Sequence, residues 1–208
     1  MKEIIINGLY KSYGENHVLR GFNATIPLGK ITCIMGPSGY GKTTLLNILM
    51  GLEKADSGQI TGLPNIKSAV FQEDRLCEDF NAIANIRFIC KNNACLEDTQ
   101  AHLTAVGLTD EDISRPVREL SGGMKRRVAI VRAVLARADI IFLDEPFKGL
   151  DTETKLLVIN YLKKETTDKT VIMVTHSLDE VKAMGGSLLD MTNYNADEKA
   201  INKRNEIK

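Results

Sequence analysis

Short apolar runs open the chain. KEIIIN at 2–7, HVLRGFNATI at 17–26 with Pro27 after it, and KITCIM at 30–35 read as strands, the last running directly into Gly36. The period then changes. In TTLLNILMG, 43–51, Leu45, Leu46, Ile48 and Leu49 recur at helical spacing and Gly51 supplies a stop. SAVFQ at 68–72 reads as another strand. From about Glu73 to Ala138 the pattern is helical, through CEDFNAIANIRFIC, LEDTQAHLTAVGL and the run after Gly123, with no strand among them. ADIIFLDEP, 138–146, returns to a buried strand; 152–165 reads as a helix, KTVIMVTH, 169–176, as a strand and SLDEVKAMG, 177–185, as a helix. Strands alternating with helices imply an α/β architecture, a parallel sheet covered on both faces. The expected organisation is one domain over 1–208: core segments 1–72 and 137–185, a helical insertion at about 73–136, and a tail from about 186. The tail ends in NYNADEKAINKRNEIK, which is polar and expected to fray.

Composition narrows the classes. A chain of 208 residues with 43% hydrophobic residues can bury a substantial core. Lys plus Arg and Asp plus Glu are both 27, so no basic field favours nucleic acid, and none is expected as a partner. Cys33, Cys77, Cys90 and Cys95 form no C-x-x-C pair and no zinc spacing, and are expected to stay reduced. Asn7 and Gly8 interrupt the first apolar run too early for a signal-peptide core, and no segment approaches the ~20 apolar residues of a membrane span. A cytosolic chain is expected; for work at a membrane, another chain must provide the membrane part.

Two stretches carry anion-binding chemistry. GPSGYGKTT, from Gly36 through Pro37, Ser38, Gly39, Tyr40, Gly41, Lys42 and Thr43 to Thr44, fits the pattern G-x-x-x-x-G-K-[ST] in full, between a strand and a helix. The glycines let the backbone curl so that N–H groups point at phosphate oxygens. Lys42 would reach the outer phosphates and the Thr43 hydroxyl would ligate Mg²⁺. IIFLDEP, 140–146, brings Asp144 to a strand end, where its carboxylate can hold Mg²⁺ through water. The adjacent Glu145 points elsewhere, toward a water poised to attack the terminal phosphate.

The second stretch is LSGGMKRRVAIVRAVL, 120–135. Ser121, Gly122 and Gly123 open a helix whose first N–H groups lack helical partners, and Lys125, Arg126 and Arg127 follow, so this start also reads as built to hold an anion. The plain alternative is an N-cap serine with a flexible glycine pair.

The ordered set GPSGYGKTT, FQEDRL, LSGGM, IIFLDEP, GLD and VTH closely resembles the ATP-binding subunits of ABC transporters, over about Lys2 to Gly185. LSGG distinguishes this family, because the first cradle is shared with kinases, GTPases and many other ATPases. The resemblance implies a P-loop nucleoside triphosphate hydrolase fold with a mostly parallel core sheet, an N-terminal antiparallel β region and an inserted helical subdomain. It implies ATP and Mg²⁺, and a head-to-tail dimer, of two copies or with a related ATPase subunit, in which each ATP lies on one P-loop and is capped by the other chain's LSGG. On that pattern Ser121, Gly122 and Gly123 contact the partner's nucleotide, so two cradles in one chain serve two different ATP molecules. Tyr13 in KSYG resembles the adenine-stacking aromatic, with Tyr10 the weaker candidate. Gln72 matches the glutamine at Mg²⁺ and the attacking water, and begins the link to the transport partner. His176 matches the histidine at the γ-phosphate, and Asp151 in GLD the residue that crosses the dimer interface.

Implied partners are an integral membrane permease, with part of its groove in 72–85, and through it an extracytoplasmic substrate-binding protein; the implied location is the cytoplasmic face of the cell membrane. Tyr40 stands where a small residue is usual, and Met124 where glutamine is common. With the chain stopping soon after His176, regulation through the C-terminal domain of some importer ATPases is not expected. FQEDRL and DEPFKGLD look most like the nitrate, sulfonate and taurine importer group. Two rival readings remain at this level. A soluble ABC ATPase of iron–sulfur assembly or translation would share the motifs but have no permease. A small-molecule P-loop kinase would use Lys42 and Asp144 but leave LSGGM and His176 without a role.

Overall fold

The computed structural model describes residues 2–89 and 98–194. Cys90 and Cys95, part of the expected helices around them, and the tail from 195 lie outside the described residues. The chain forms two compact units, Met1–Asn65 with Ile172–Lys208, and Ile66–Val171.

In the first unit β1 (Glu3–Tyr13) pairs antiparallel with both β2 (Asn16–Pro27) and β4 (Ser57–Thr61). β1 runs well past the apolar KEIIIN. Ile4 and Ile6 face inward, then Leu9 and Lys11 do, so the inward row changes parity. A bulge at Asn7–Gly8 absorbs the slip, and both pairings shift register there. Gly8 has φ +55°, and its N–H donates to Asn23 Oδ1 at 2.8 Å, which satisfies the amide that leaves the ladder. β4, SGQIT, offers no apolar alternation and was invisible in the pattern; backbone pairing to β1 defines it.

β3 (Ile31–Met35) pairs parallel with β8 (Ser187–Asp190), and α1 (Lys42–Met50) follows β3. Gly51, left-handed at φ +82°, ends α1 by donating to Asn47 and Ile48 carbonyls, as its sequence position suggested. From sequence alone SLLD falls in the polar tail; it is instead a strand, held by β3, with a 3₁₀ turn after it. Cys33 is buried, and that burial pushes its thiol up to about 11, in line with a reduced, unreactive group.

In the second unit β5 (Lys67–Val70) pairs parallel with β6 (Ile140–Asp144). Between them lie α2 (Ala82–Arg87), α3 (Thr99–Ala105), α4 (Asp110–Ser114), a 3₁₀ turn at Val117–Glu119 and α5 (Gly122–Leu135). Among the described residues this stretch contains no strand, in agreement with its helical periodicity. Two of the short helices have a side-chain cap at their start. Asn81 accepts from Ala84 N–H to cap α2, and Thr109 with Asp112 forms a capping box on α4. α6 (Thr152–Glu165) follows β6, β7 (Thr170–Val174) spans the boundary of the two units, and α7 (Leu178–Met184) lies in the first. The fold is α/β, with parallel pairing in both units, an N-terminal antiparallel sheet and an inserted helical stretch. Among the described residues no helix is long and apolar enough to cross a membrane.

The bulge sets a test. A Cβ on Gly58 (φ +99°) would lie 2.3 Å from Gly8 O, and one on Gly62 (φ +76°) 2.1 Å from Glu3 O, whereas one on Gly8 meets nothing within 4 Å. Gly8→Ala therefore pays for strained φ alone, about 1 kcal/mol, while Gly58→Ala and Gly62→Ala also push backbone apart, for at least ~2 kcal/mol. Denaturant midpoints at constant slope check the order; equal losses at all three positions would refute it.

Candidate functional site

The first unit holds the loop between β3 and α1. Its φ angles are +152° at Gly36, +82° at Gly39 and +83° at Gly41, a path that side-chain-bearing residues avoid. At Gly41 space is needed too, since a Cβ would lie 2.8 Å from Val18 Cγ1. Pro37, Ser38 and Gly39 are exposed, and Tyr40 is half-buried. Lys42 is buried at the start of α1, its ammonium donating to Gly36 O at 2.8 Å and Pro37 O at 2.9 Å. Thr43 is exposed beside it and Thr44 half-buried. Curled backbone, a helix start and one lysine charge together make a cradle for an anion.

Two further candidates share this unit. Thr175 donates its N–H to Ile34 O in β3 at 3.2 Å and its hydroxyl to Glu180 at 2.5 Å, while accepting from Ser177 N–H at 3.1 Å. His176 is thereby presented to solvent next to the strand that feeds the cradle. Tyr13 ends β1 opposite Asn16, across a two-residue turn, with its ring half exposed. Lys11 Nζ lies 5.1 Å from the ring centroid, and is held by Glu53 at 2.7 Å and Lys54 O at 2.8 Å. The hydrogen bond between them raises the Lys11 pKa and lowers that of Glu53. Tyr10 is set apart, its hydroxyl lying against Gly21.

The second unit holds the other candidates. All of β6 is buried, and it ends at Asp144, 5% exposed. Glu145 has φ +48°, left-handed backbone that glutamate rarely adopts and that breaks the alternation of the strand. Lys148 N–H closes the turn on Glu145 O at 3.2 Å, and the Lys148 ammonium sits 3.2 Å from Glu145 Oε2. Asp151 caps α6, accepting from Thr154 N–H at 2.9 Å, a bond that holds its carboxyl below the usual range.

Ser121 caps α5, its Oγ accepting from Met124 N–H at 3.3 Å. Capping uses an acceptor lone pair and leaves the hydroxyl proton to donate. A Cβ on Gly122 would meet nothing within 4 Å, whereas Gly123 packs toward Leu150 and Gly149. Ser121, Gly122 and Gly123 line one open cleft of about 530 Å³ with Asp151, Arg126, Arg127 and Lys148.

The cations after this lip, expected to help hold an anion, also have partners inside the chain. Lys125 pairs with Glu78 at 2.9 Å, and Arg126 and Arg127, which line the cleft, bond backbone carbonyls within the unit. Arg127 donates to Val106 O at 2.9 Å and Gly107 O at 2.7 Å. Arg126 donates to Phe71 O at 2.6 Å and Gln72 O at 2.5 Å, so Gln72 has an exposed side chain on a pinned carbonyl. Irregular buried backbone needs donors, and the helix supplies them before solution anions can compete.

Gly36 to Thr44, Tyr13 and His176 thus belong to the first unit, and Gln72, Ser121 to Gly123, Asp144, Glu145 and Asp151 to the second. Sequence reasoning missed Lys11 and Lys148, and missed the carbonyl bonds of Arg126. Lys11 occupies an inward strand position two after Leu9, and Arg126 lies three and four residues before the buried Ala129 and Ile130. A charge on an apolar face asks for a buried partner, which was the available signal. Lys148 gave none.

The family model described as ABC transporter matches residues 19–148. An aliphatic sulfonates import ATP-binding protein of Corynebacterium glutamicum is 37% identical over 193 residues, covering 88% of this chain and 78% of the relative. One of Rhodococcus jostii is 35% identical, covering 91% and 71%. Among solved structures, a dimeric bacterial ABC transporter cassette superposes with a TM-score of 0.79 at 27% identity, over 90% of this chain and 94% of that one. A post-hydrolysis state of that cassette bound to ADP and Pi gives 0.78 at 28% identity, over 90% and 93%. Motif order, cradle geometry and these likenesses agree: the chain belongs to the ABC transporter family, among its ATP-binding subunits.

Proposed function

We propose that this ATPase works as a head-to-tail pair of copies, each capping the ATP on the other's cradle, and that the pair drives a separate membrane permease from its cytoplasmic face. The observation that carries the pairing is the cleft shared by Ser121, Gly122, Gly123 and Asp151: an open phosphate-type lip whose lining cations are already engaged within the chain, Arg126 and Arg127 on backbone carbonyls and Lys148 on Glu145. The dimeric cassette supports the same arrangement.

Within such a pair the roles follow from the chemistry of each group. The Gly36–Thr44 backbone and Lys42 hold the phosphates, and Tyr13 stacks on adenine. Thr43, Asp144 and Gln72 offer oxygen donors, which suits a hard cation such as Mg²⁺; that ion takes few protein ligands when phosphates share it. When bound it would neutralise charge on the outer phosphates. Glu145 takes the proton of the attacking water, and His176 steadies the γ-phosphate. Ser121 donates its hydroxyl proton to the partner's nucleotide. ATP binding closes the pair and hydrolysis reopens it, which moves the permease between access states. The sulfonate importers among the relatives support import of a small organic anion of that class, selected by other chains.

Glu145→Gln preserves side-chain shape and removes the base. Nucleotide binding should stay near the parent value while phosphate release falls at least ~100-fold; normal turnover would remove Glu145 from the mechanism. The pairing is tested by mixing two inactive proteins, Lys42→Ala and Ser121→Ala. Head-to-tail pairs that form at random carry one intact site in half of the dimers, so about a quarter of the parent rate should return. No recovery, with single copies hydrolysing ATP at full rate, would overturn the pairing.

A further inference from the structure

We infer that Arg126 is a positioning residue that couples the two ATP sites of the dimer, by tying the Gln72 segment to the helix that carries Ser121. The inference rests on the head-to-tail reading given above.

Two of the three guanidinium nitrogens of Arg126 are hydrogen-bonded to carbonyls, and the third forms an ion pair with Asp74 without a hydrogen bond. Nη1 donates to Phe71 O at 2.6 Å, Nη2 to Gln72 O at 2.5 Å, and Nε faces Asp74 Oδ1 at 3.0 Å. The side chain is 7% exposed and that of Asp74 18%, so little water competes. Six residues further along α5, Arg132 donates to Asp74 O at 2.8 Å and Arg75 O at 2.7 Å. One helix therefore grips the carbonyls of Phe71, Gln72, Asp74 and Arg75. The segment also folds on itself, with left-handed backbone at Arg75 (φ +48°) and its guanidinium 3.8 Å from the centre of the Phe71 ring. Residues 71–75 are bound to α5 and cannot swing as an open loop.

Ser121 caps the same helix, five residues before Arg126. A displacement of the Gln72 carbonyl is thus transmitted through the two guanidinium–carbonyl bonds to the helix start. In a head-to-tail pair, Gln72 attends the ATP on its own chain's cradle, while Ser121 attends the ATP on the partner's. The Arg126 strut lets occupancy of one site set the position of the lip at the other. Lysine cannot replace it fully, because an ammonium is a point donor and cannot hold two carbonyls and a carboxylate in one plane.

The test uses the full chain with Arg126→Met and Arg126→Lys, alone and combined with Gln72→Ala. Three quantities are read: the Hill coefficient of ATP hydrolysis, the affinity for a fluorescent ATP analogue, and the melting temperature. The parent coefficient should lie between 1 and its two-site ceiling of about 2, and fall to about 1 in Arg126→Met, with Arg126→Lys intermediate. Analogue affinity should stay within about twofold, since the cradle is untouched. Gln72→Ala should lower the coefficient as well, and Arg126→Met should then add no further fall. Arg126→Lys keeps the buried charge and carries the test if the methionine variant does not fold. A parental coefficient in folded Arg126 variants, or an independent further loss in the Gln72→Ala background, overturns the strut. A parent protein that hydrolyses ATP as a monomer overturns the head-to-tail reading and the strut with it; failed coupling in an intact dimer overturns the strut alone.

Discussion

Irregular backbone has to be satisfied wherever it is buried, and in the second unit helix α5 does this with its own guanidinium groups. Residues 71–75 and 106–107 make no regular ladder, yet their carbonyls are met by Arg126, Arg132 and Arg127. The bonds to Phe71, Gln72, Asp74 and Val106 are partly buried, and a buried carbonyl left unmet costs about 1–3 kcal/mol, whereas those to Arg75 and Gly107 lie at the surface. Burial lowers the pKa of Arg127 and Arg132, but a guanidinium stays charged throughout the physiological range. The same helix therefore has two ends with different duties: an exposed lip of small residues, and a buried shaft that organises the loops around it.

The first unit solves the opposite problem. Around Gly36 to Gly41 the chain makes a tight curl, and it relies on glycine to reach the conformation. Lys42 holds the curl closed through the carbonyls of Gly36 and Pro37, so one side chain shapes the loop and supplies its charge. Glu145 shows a related device without glycine. Its left-handed backbone is kept by the turn to Lys148 and by buried Phe147, strain of the sort found where a side chain must be presented against the grain of a strand.

Much of this was legible in the sequence. Helix α6 matches its expected limits, 152–165, and α1 ends at the glycine that the spacing singled out. Periodicity worked there because one face is buried and the other is not. It failed for SGQIT, where ladder bonds rather than side chains define the strand, and for SLLD, whose short run gained meaning only by pairing with β3. The anion loop could be read because glycine spacing reports backbone shape directly. The arginines could not, since their partners are carbonyls, which every residue has. A sequence displays a charge but not the acceptor that claims it.

The slip in β1 has a reach beyond the strand that contains it. Ile4 and Ile6 set one phase for the inward row, and the Asn7–Gly8 bulge moves it to the phase of Leu9 and Lys11, whose ammonium meets the half-exposed Tyr13 ring. An uninterrupted ribbon would put Leu9 and Lys11 on the other side of the sheet. The placement of a cation beside an aromatic ring is therefore tied to an extra residue three positions before that cation.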